Sequence, residues 1–439
     1  MLPPLRAYLE ALRLFPISVL SHPQHYFSRP GRDFTRRRSL FLERVAWLNI
    51  TLLKTTLSVE LDRFFDWLGT GEVSVTKSAL VQARQKLLPR FFIDFFQVSA
   101  DAFYRCFKAA RWKGFRLWAT DGSGFRLPDE PELGNEFGWH GNQHNLVPSA
   151  RMLVCFDLLN NLVTKLHFHA RTTSESTVAV RGIGGLPRDV LMVYDRGYAS
   201  HIVPFLHQYF GSNCVVRLPV GFSNTVKSFV SGGKRQLIVT EPLQPKAHEV
   251  LKTLGIGAAK DATITYRLIR INLPNGGTEV LLTTLLDKKQ YHWPHFGEIY
   301  RQRWGIESCF FVIKSFLQLN NFSAYTVNNC WQDIYSHFIL YNLQTALFKP
   351  LDKEVKRINK TRKLDYKPNR NVTAGLLKRF AVKFCLRPLS ELKRYLTDFY
   401  RQTIQTLEAE RPEKNKERRR RLLRGTERHN HEKNYRRAF

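Results

Sequence analysis

Two apolar runs in this 439-residue chain each lead directly to an aspartate. Asp121 follows the first run in FRLWATDGSGFRL, and Asp195 follows the second in VLMVYDRGY. Between them, ARMLVCFDLLNN and LVTKLHFHART have the composition of two strands joined by a turn at Asn160 and Asn161, and a short helix is predicted to follow. The sequence therefore predicts three strands, a helix and a fourth strand, with an acid following the first and the fourth.

This order is expected of a ribonuclease H-like α/β sheet, in which the first and fourth strands lie side by side. Neighbouring carboxylates repel each other unless a cation lies between them, so Asp121 and Asp195 together predict a metal site. An aspartate before glycine at a strand end is also a common turn former, and either residue alone would be weak support. Residues of about 218–290 contain further β-type segments, which predict a β insertion that either faces DNA or is a structural addition.

The stretch YRQRWGIESCFFVIK predicts an amphipathic helix from Tyr300 to Lys314. At about 100° per residue, Tyr300, Arg303, Glu307 and Lys314 fall within about 60° of one another. The opposite side carries apolar residues that are predicted to be buried: Trp304, Phe310, Phe311, Ile313 and Leu317. The plainer interpretation is a solvated polar face stabilised by ion pairs. The alternative is a metal-binding carboxylate beside phosphate-binding groups.

The charge balance favours a polyanionic partner. The chain has 68 Lys and Arg against 37 Asp and Glu, a formal charge of +31. Nucleic acid is the first candidate, because each phosphate that is neutralised releases counterions. A membrane is disfavoured, since no apolar run reaches about 18 residues, and Arg6, Glu10 and Arg13 argue against a signal peptide. We therefore expect a cytoplasmic protein, and the six cysteines, which form no C-x-x-C pair, predict neither disulfides nor a thiolate zinc site.

Three regions are predicted along the chain. Residues 1–108 form a helical DNA-binding domain, residues 109–348 a catalytic domain, and residues 349–439 a basic helical region with a charged tail. In the first, SVTKSALVQARQKL predicts a helix capped by Ser74 or Thr76, with Lys77 and Arg84 on its exposed, DNA-binding side. An ordinary basic surface helix remains the alternative.

Two histidine pairs have spacings that could bind zinc. His140 and His144 are four apart, and His167 and His169 are two apart. Gly141 argues against a helix for the first pair, and no cysteine is placed to complete either set. Histidines on a strand surface or facing DNA are the favoured interpretation.

The spacing Tyr300-x2-Arg303-x3-Glu307-x6-Lys314 resembles in full the YREK signature of bacterial insertion-sequence transposases of the DDE class, the IS-four group. Asp121 in TDGSGF and Asp195 in YDRGY resemble the first and second catalytic aspartates of that family. A β insertion between the second aspartate and the glutamate is also the family's arrangement. The resemblance covers roughly residues 34–343.

The resemblance implies an active DNA transposase, a metal-dependent nuclease and strand transferase. Its catalytic and metal-binding residues would be Asp121, Asp195 and Glu307, which would hold two Mg²⁺ ions, or Mn²⁺ in their place, for in-line displacement at phosphorus. Four residues would contact DNA phosphates: Tyr300, Arg303, Lys314 and Arg196. The implied partners are double-stranded DNA, both terminal repeats and target, and a second copy of the chain on that DNA at the bacterial nucleoid.

One feature departs from a related transposase type, which stacks a Trp of the insertion on a flipped base while a DNA hairpin forms. No Trp occurs between Trp139 and Trp293, and Tyr266, Phe222 and Phe229 are the candidate substitutes. Two other functions stay open: a catalytically inactive DNA-binding protein that retains the fold, and a simple ribonuclease H-like nuclease without strand joining.

Overall fold

The computed structural model describes residues 3–52, 56–70, 75–142, 145–273, 276–323 and 325–410. Contacts between Cα atoms divide the chain into two compact units. The first contains residues 1–108 and 311–439, and the second contains residues 109–310. Residues 311–348 thus group with the N-terminal helices and not with residues 109–310.

The first unit begins with five helices: α1 Pro3–Ser18, α2 Leu42–Thr51, α3 Leu57–Leu68, α4 Lys77–Gln85 and α5 Pro89–Cys106. Local sequence explains their ends. Gly69 terminates α3 in the left-handed conformation with φ of 62°, and the Thr76 hydroxyl caps α4 by accepting a hydrogen bond from the Ala79 N–H. Ser74, the other predicted cap, lies outside the described residues. The phenylalanines of α5 build the core of this unit, since Phe91, Phe92 and Phe95 are fully buried.

Arg84 is not on the exposed side of α4, so that prediction is wrong. Its side chain is 2% exposed and forms an ion pair of 2.9 Å with Asp333, which is equally buried. The guanidinium also donates to Ser323 Oγ and Gln332 Oε1. Lys77 is exposed, as predicted. Residues 77 and 84 are nearly two helical turns apart, and apolar periodicity alone does not reveal that an arginine has a buried acid as its partner.

The second unit contains the acid-bearing strands. Its strands are β1 Arg116–Arg126, β2 Trp139–Asn142, β3 Asn145–Asp157, β4 Leu162–Ala170, β5 Val190–Tyr194, β6 Asn213–Leu218, β7 Gln236–Pro242, β8 Thr263–Asn272 and β9 Thr278–Thr283. Its helices are α6 Pro131–Phe137, α7 Glu175–Gly182, α8 Ile202–Phe210, α9 Asn224–Ser231, α10 Pro245–Thr253, α11 His295–Gln302 and α12 Gly305–Phe311. His140 lies on β2, which follows the short helix α6.

One mixed sheet runs through this unit in the order β2-β3-β1-β5-β6-β9-β8-β7, with β4 also paired to β3. Strand β1 is antiparallel to β3 and parallel to β5, with Leu117 opposite Leu191 and Ala119 opposite Val193. The predicted side-by-side position of the two acid-bearing strands is therefore confirmed, as are the α/β class and the β3-β4 hairpin around Asn160.

The predicted β insertion is part of this sheet and is not purely β. Strand β9 pairs antiparallel with β6, and β8 and β7 extend the sheet from there. Two helices interrupt the strands: Ser223 caps α9 by accepting the Val226 N–H, and Pro245 occupies the first turn of α10. The sequence did not predict these two helices, because each is short and lies between β-type segments. The sequence also predicts a hairpin turn at Asn275, Gly276 and Gly277, of which Asn275 lies outside the described residues.

Helix α11 packs on one face of the sheet, where Phe296, Ile299 and Tyr300 join buried residues of five strands: Leu117, Ala119, Leu191, Val193, Val215, Ile269 and Leu281. The predicted single helix is broken after Gln302, because the N–H groups of Arg303 and Trp304 bond to carbonyls only three residues back. Gly305 follows, a residue with low helix propensity.

The break changes which predicted apolar residues are buried. Phe310, Ile313 and Leu317 are buried, but Trp304 is 57% and Phe311 58% exposed, so their predicted burial is wrong. Residues 312–316 form a π-helical turn, which further alters the side-chain phase beyond α12.

The first unit resumes with α13 Val327–Phe348, α14 Asp352–Asn359, β10 Tyr366–Lys367, α15 Arg370–Leu386, α16 Leu392–Gln405 and β11 Glu408–Ala409. Helix α13 packs against α5 and α2, and α15 packs against α2 and α3, which explains why these residues group with the N-terminal helices. The predicted charged tail, residues 411–439, lies outside the described residues. None of the described helices is both long and apolar enough to span a membrane.

A buried histidine in the second unit predicts a loss of stability in acid. His207 is fully buried, with Tyr194 Oη and Ser212 Oγ at 2.9 and 2.7 Å from its ring nitrogens, and burial lowers its pKa to about 3. An unfolded histidine titrates near 6.5, so between these values only the unfolded state takes up a proton, and stability is lost as the pH falls. From pH 7 to 4.5 we expect a loss of about 2 to 3 kcal/mol from this residue.

The measurement is the free energy of unfolding against pH for wild type and His207→Gln. The variant should lose this part of the pH dependence, whereas His295→Gln, which changes an exposed histidine, should keep it. An unchanged pH dependence in His207→Gln would contradict the assignment.

Candidate active site

Strands β1 and β5 bring Asp121 and Asp195 together. Their parallel pairing ends with Ala119 opposite Val193, and each aspartate is the second residue beyond that pair. Asp195 follows the last residue of β5, as predicted. Asp121 instead lies within β1, because this strand remains paired with β3 as far as Arg126. Both acids therefore lie at the end of β5, at the point where β1 extends beyond its pairing with β5.

Asp195 is held as an anion by its neighbours. The Tyr300 hydroxyl of α11 donates a hydrogen bond of 2.9 Å to Asp195 Oδ1. Burial by itself would raise the pKa of Asp195, but the Arg196 N–H, the Tyr300 hydroxyl and the nearby Arg303 and Arg217 outweigh burial and lower it. The pKa of Tyr300 is raised by burial and by the charge of Asp195, so its proton stays on the hydroxyl.

Arg303 joins the other two acids. Its guanidinium lies 3.7 Å from Asp121 Oδ2 and 3.2 Å from Glu307 Oε1, at the break between α11 and α12. The side chain of Arg303 is 6% exposed, whereas that of Glu307 is 43% exposed. Burial would lower the pKa of Arg303, but Tyr300 and the three acids together raise it, so it stays a cation. Positive charge therefore lies between the first and third predicted catalytic acids.

Burial opposes the ionisation of Asp121. Its pKa is raised to about 6, chiefly by burial and further by the charges of Glu175 and Asp195, while the Gly122 N–H and Arg303 act in the opposite direction. The sequence predicts Glu175 only as the partner of Thr172 in a helix-capping box and not as a site residue. In the structure it lies in the first turn of α7, after the capping residue Ser174. Its carboxyl carbon lies 2.0 Å from where a Cβ on Gly122 would stand, so residue 122 must be glycine for Glu175 to approach.

The predicted DNA-binding residues fall in different environments. Arg196 is exposed directly after Asp195, which suits a phosphate contact. Tyr300 and Arg303 are 3% and 5% exposed, and their polar ends point to the acids. Lys314 is half-buried in the π-helical turn of the first unit. The structure therefore brings Tyr300, Arg303, Glu307 and the two aspartates together, and Arg196 adjoins them.

The candidate base-stacking residues are buried or packed against other side chains. Tyr266 is fully buried and Phe229 is 3% exposed, while Phe222 packs against His201. Of the first histidine pair, His140 lies on β2 and His144 lies outside the described residues. His167 and His169 lie on β4, on one face of that strand.

The acids fit a hard divalent cation by their chemistry. Carboxylate oxygens are the ligands that Mg²⁺ and Mn²⁺ prefer, and the guanidinium of Arg303 already occupies a position where these acids attract positive charge. Within the described residues, no three His, Cys, Asp or Glu side chains surround a common point as placed. A bound cation would compete with the Arg303 guanidinium for the carboxylates of Asp121 and Glu307.

Comparison with known proteins identifies the family. Residues 112–343 match the family model described as the transposase DDE domain. This match spans more than half of the chain, and the chain belongs to that family.

Transposase InsG for insertion sequence element IS4, from Escherichia coli (strain K12), is 25% identical over 320 residues, which are 71% of each chain. InsZ, a second protein of that strain, is 25% identical over 185 residues, 40% of this chain and 60% of its own. The family predicted from the Tyr300 to Lys314 spacing is thereby confirmed. Among solved structures, the piggyBac transposase synaptic complex with hairpin DNA aligns over 91% of this chain and 84% of its own, with 10% identity and a TM-score of 0.43.

Proposed function

We propose that this chain is an active cut-and-paste DNA transposase with a ribonuclease H-like core. In this proposal it binds the terminal repeats of an insertion element, cleaves the DNA there and joins the freed 3′-hydroxyl ends to target DNA. The observation that carries the proposal is the convergence of Asp121, Asp195 and Glu307 around Arg303 in a member of the transposase DDE family. Joining two ends calls for two active sites, so the active form is a homodimer on DNA, at the bacterial nucleoid.

Asp121, Asp195 and Glu307 would hold two Mg²⁺ ions, or Mn²⁺ in their place. The bound ions supply an activated hydroxyl nucleophile and stabilise charge on the leaving oxygen. The Tyr300 hydroxyl and the Arg196 N–H keep Asp195 ionised. The buried α11 face fixes Tyr300 against the sheet, so Asp195 is oriented before any ligand arrives.

Arg303 has two roles in this proposal. Without cations it neutralises Asp121 and Glu307 and limits their repulsion. When cations displace it, the planar guanidinium of Arg303 can stay next to the site by rotation of its side chain. There it can hold a phosphate that flanks the scissile bond. Lys314, Arg196 and Lys77 are the other proposed DNA contacts, whereas the buried ion pair of Arg84 removes it from this set.

The alternative is a DNA-binding protein that has lost catalysis. One experiment separates the two: incubate DNA carrying the element's terminal repeat with wild type and Asp121→Asn, with and without Mg²⁺. We expect Mg²⁺-dependent nicking followed by strand joining from wild type alone. Equal products from both proteins, or none from wild type on DNA that it binds, would refute the transposase assignment. Cleavage without joining would indicate a simple nuclease.

A further inference from the structure

One face of the sheet beyond the acids collects arginines. Successive side chains of a strand point to opposite faces, so Gly122, Gly124 and Arg126 of β1 share a face that Asp121 does not. In the β1-β3 register Gly124 lies opposite Arg151, and paired residues of antiparallel strands point to the same face. Arg126 and Arg151 therefore flank the gap that the missing side chain of Gly124 leaves.

Arg171 fills that gap from the end of β4. Its Nη1 lies 3.3 Å from where a Cβ on Gly124 would stand, and its Nη2 donates to His140 Nε2 at 3.1 Å. The Arg171 N–H donates to the Phe137 carbonyl at 2.8 Å, which fixes the backbone as well. Arg171 is thus anchored both at its backbone and at its guanidinium.

The charge on this face is poorly compensated. Glu175 is the nearby acid, and its Oε1 lies 3.9 Å from Arg151 Nη1, with both side chains about one third exposed. In the part of the chain that the structure describes, neither Arg126 nor Arg171 forms an ion pair with an acid. Cations on one face of a sheet repel one another, and a polyanion would remove that repulsion.

The face is close to the acids. Gly124 is three residues beyond Asp121 along β1, about 10 Å at the usual rise of a strand. A DNA strand advances about 3.4 Å per nucleotide along the duplex axis, so this span corresponds to roughly three nucleotides. The acids and the arginines lie on opposite faces of β1, but among the described strands β1 is paired with β5 only as far as Ala119. A DNA strand that passes this edge of β1 can therefore reach both the acids and the arginines.

We propose that Arg126, Arg151 and Arg171, here named the arginine face, bind the DNA backbone within about three nucleotides of the scissile phosphate. Arg171 is its centre, because His140 and Gly124 hold its guanidinium in place. The contact is to phosphate and carries no base sequence information. This inference rests on the proposed function, since it takes the scissile phosphate to lie at Asp121, Asp195 and Glu307.

Its first test is the salt dependence of DNA binding, measured without divalent cations so that no cleavage occurs. Arg171→Ala and Arg126→Ala should each bind a terminal-repeat duplex more weakly and lower the slope of log K against log salt by about 0.9. Arg171→Lys keeps the charge and should keep most of the slope. The matched control is Arg181→Ala, an exposed arginine at the far end of α7, about 9 Å along the helix from Glu175.

A second test locates the contact. A set of duplexes with single neutral methylphosphonates should reveal a position within about three nucleotides of the cleavage site where wild type loses affinity and Arg171→Ala does not. Thermal melting of the variants establishes that they are folded.

Unchanged slope and an unchanged methylphosphonate profile in Arg171→Ala would overturn the inference while leaving the transposase proposal intact. A wild type that binds the terminal repeat but cleaves nothing with Mg²⁺ would refute the proposed function instead. A slope that falls equally in Arg181→Ala would show a diffuse electrostatic effect and would also overturn the assignment to this face.

Discussion

Glu307→Gln should reduce strand cleavage by about 10³-fold or more while leaving DNA affinity nearly unchanged. The substitution keeps the shape of the side chain but removes the anionic oxygen that the proposed site needs. A metal ion in such a site supplies several kcal/mol of transition-state stabilisation, and each 1.36 kcal/mol lost is a factor of ten in rate. Cleavage is measured under single-turnover conditions with Mg²⁺, and affinity is measured separately without it.

Stability should change little in this variant. Glu307 is partly exposed, and its ion pair with Arg303 is of the i, i+4 type, which contributes under about 1 kcal/mol. The matched control is Glu298→Gln, an exposed glutamate on α11 that lies outside the site. It should cleave and bind as wild type does. If Glu307→Gln lost DNA binding but retained normal cleavage of the DNA still bound, Glu307 would belong to a structural face and not to the catalytic set.

The aspartates could be placed from sequence because their local signals agree with the sheet. Five consecutive apolar residues before Asp195 predict a buried parallel strand, and β5 is buried throughout. The predicted order of three strands, a helix and a fourth strand then requires the two acid-bearing strands to be neighbours in the sheet. The continuation of β1 beyond Asp121 could not be predicted from the sequence. Its pairing with β3 through Gly122 and Gly124 depends on a partner strand and not on local propensity.

The contacts of Tyr300 and Arg303 needed the structure. Helical spacing put them on one stripe with Glu307, and the structure indeed brings these side chains to one site. Periodicity gives an angular position but not the burial of that face or the turn that breaks the helix at Arg303. Periodicity likewise could not predict the position of Glu175 beside Gly122 or that of the Arg171 guanidinium beside Gly124. Both positions depend on contacts between elements that are distant in sequence.

Arg84→Ala should destabilise the first unit by about 3 to 5 kcal/mol, because it leaves the carboxylate of Asp333 buried without its cation. Asp333 would keep its hydrogen bonds from the Ser323 N–H and hydroxyl, which cannot neutralise its charge. The readout is hydrogen-exchange protection of α4 and α13 amides, since a chain of two units need not unfold in one step.

The control is Arg6→Ala, which breaks an exposed i, i+4 pair with Glu10 in α1 of the same unit and should cost under about 1 kcal/mol. Replacing both partners, as in Arg84→Met with Asp333→Leu, should recover most of the loss, because no buried charge remains unpaired. A double variant as unstable as Arg84→Ala would mean that packing, not charge, accounts for the loss.

If Arg84→Ala instead kept full protection and bound DNA more weakly by a whole phosphate contact, Arg84 would reach DNA after all. Lys77→Ala, exposed on the same helix, sets the scale for that comparison, since its proposed role is a DNA contact alone.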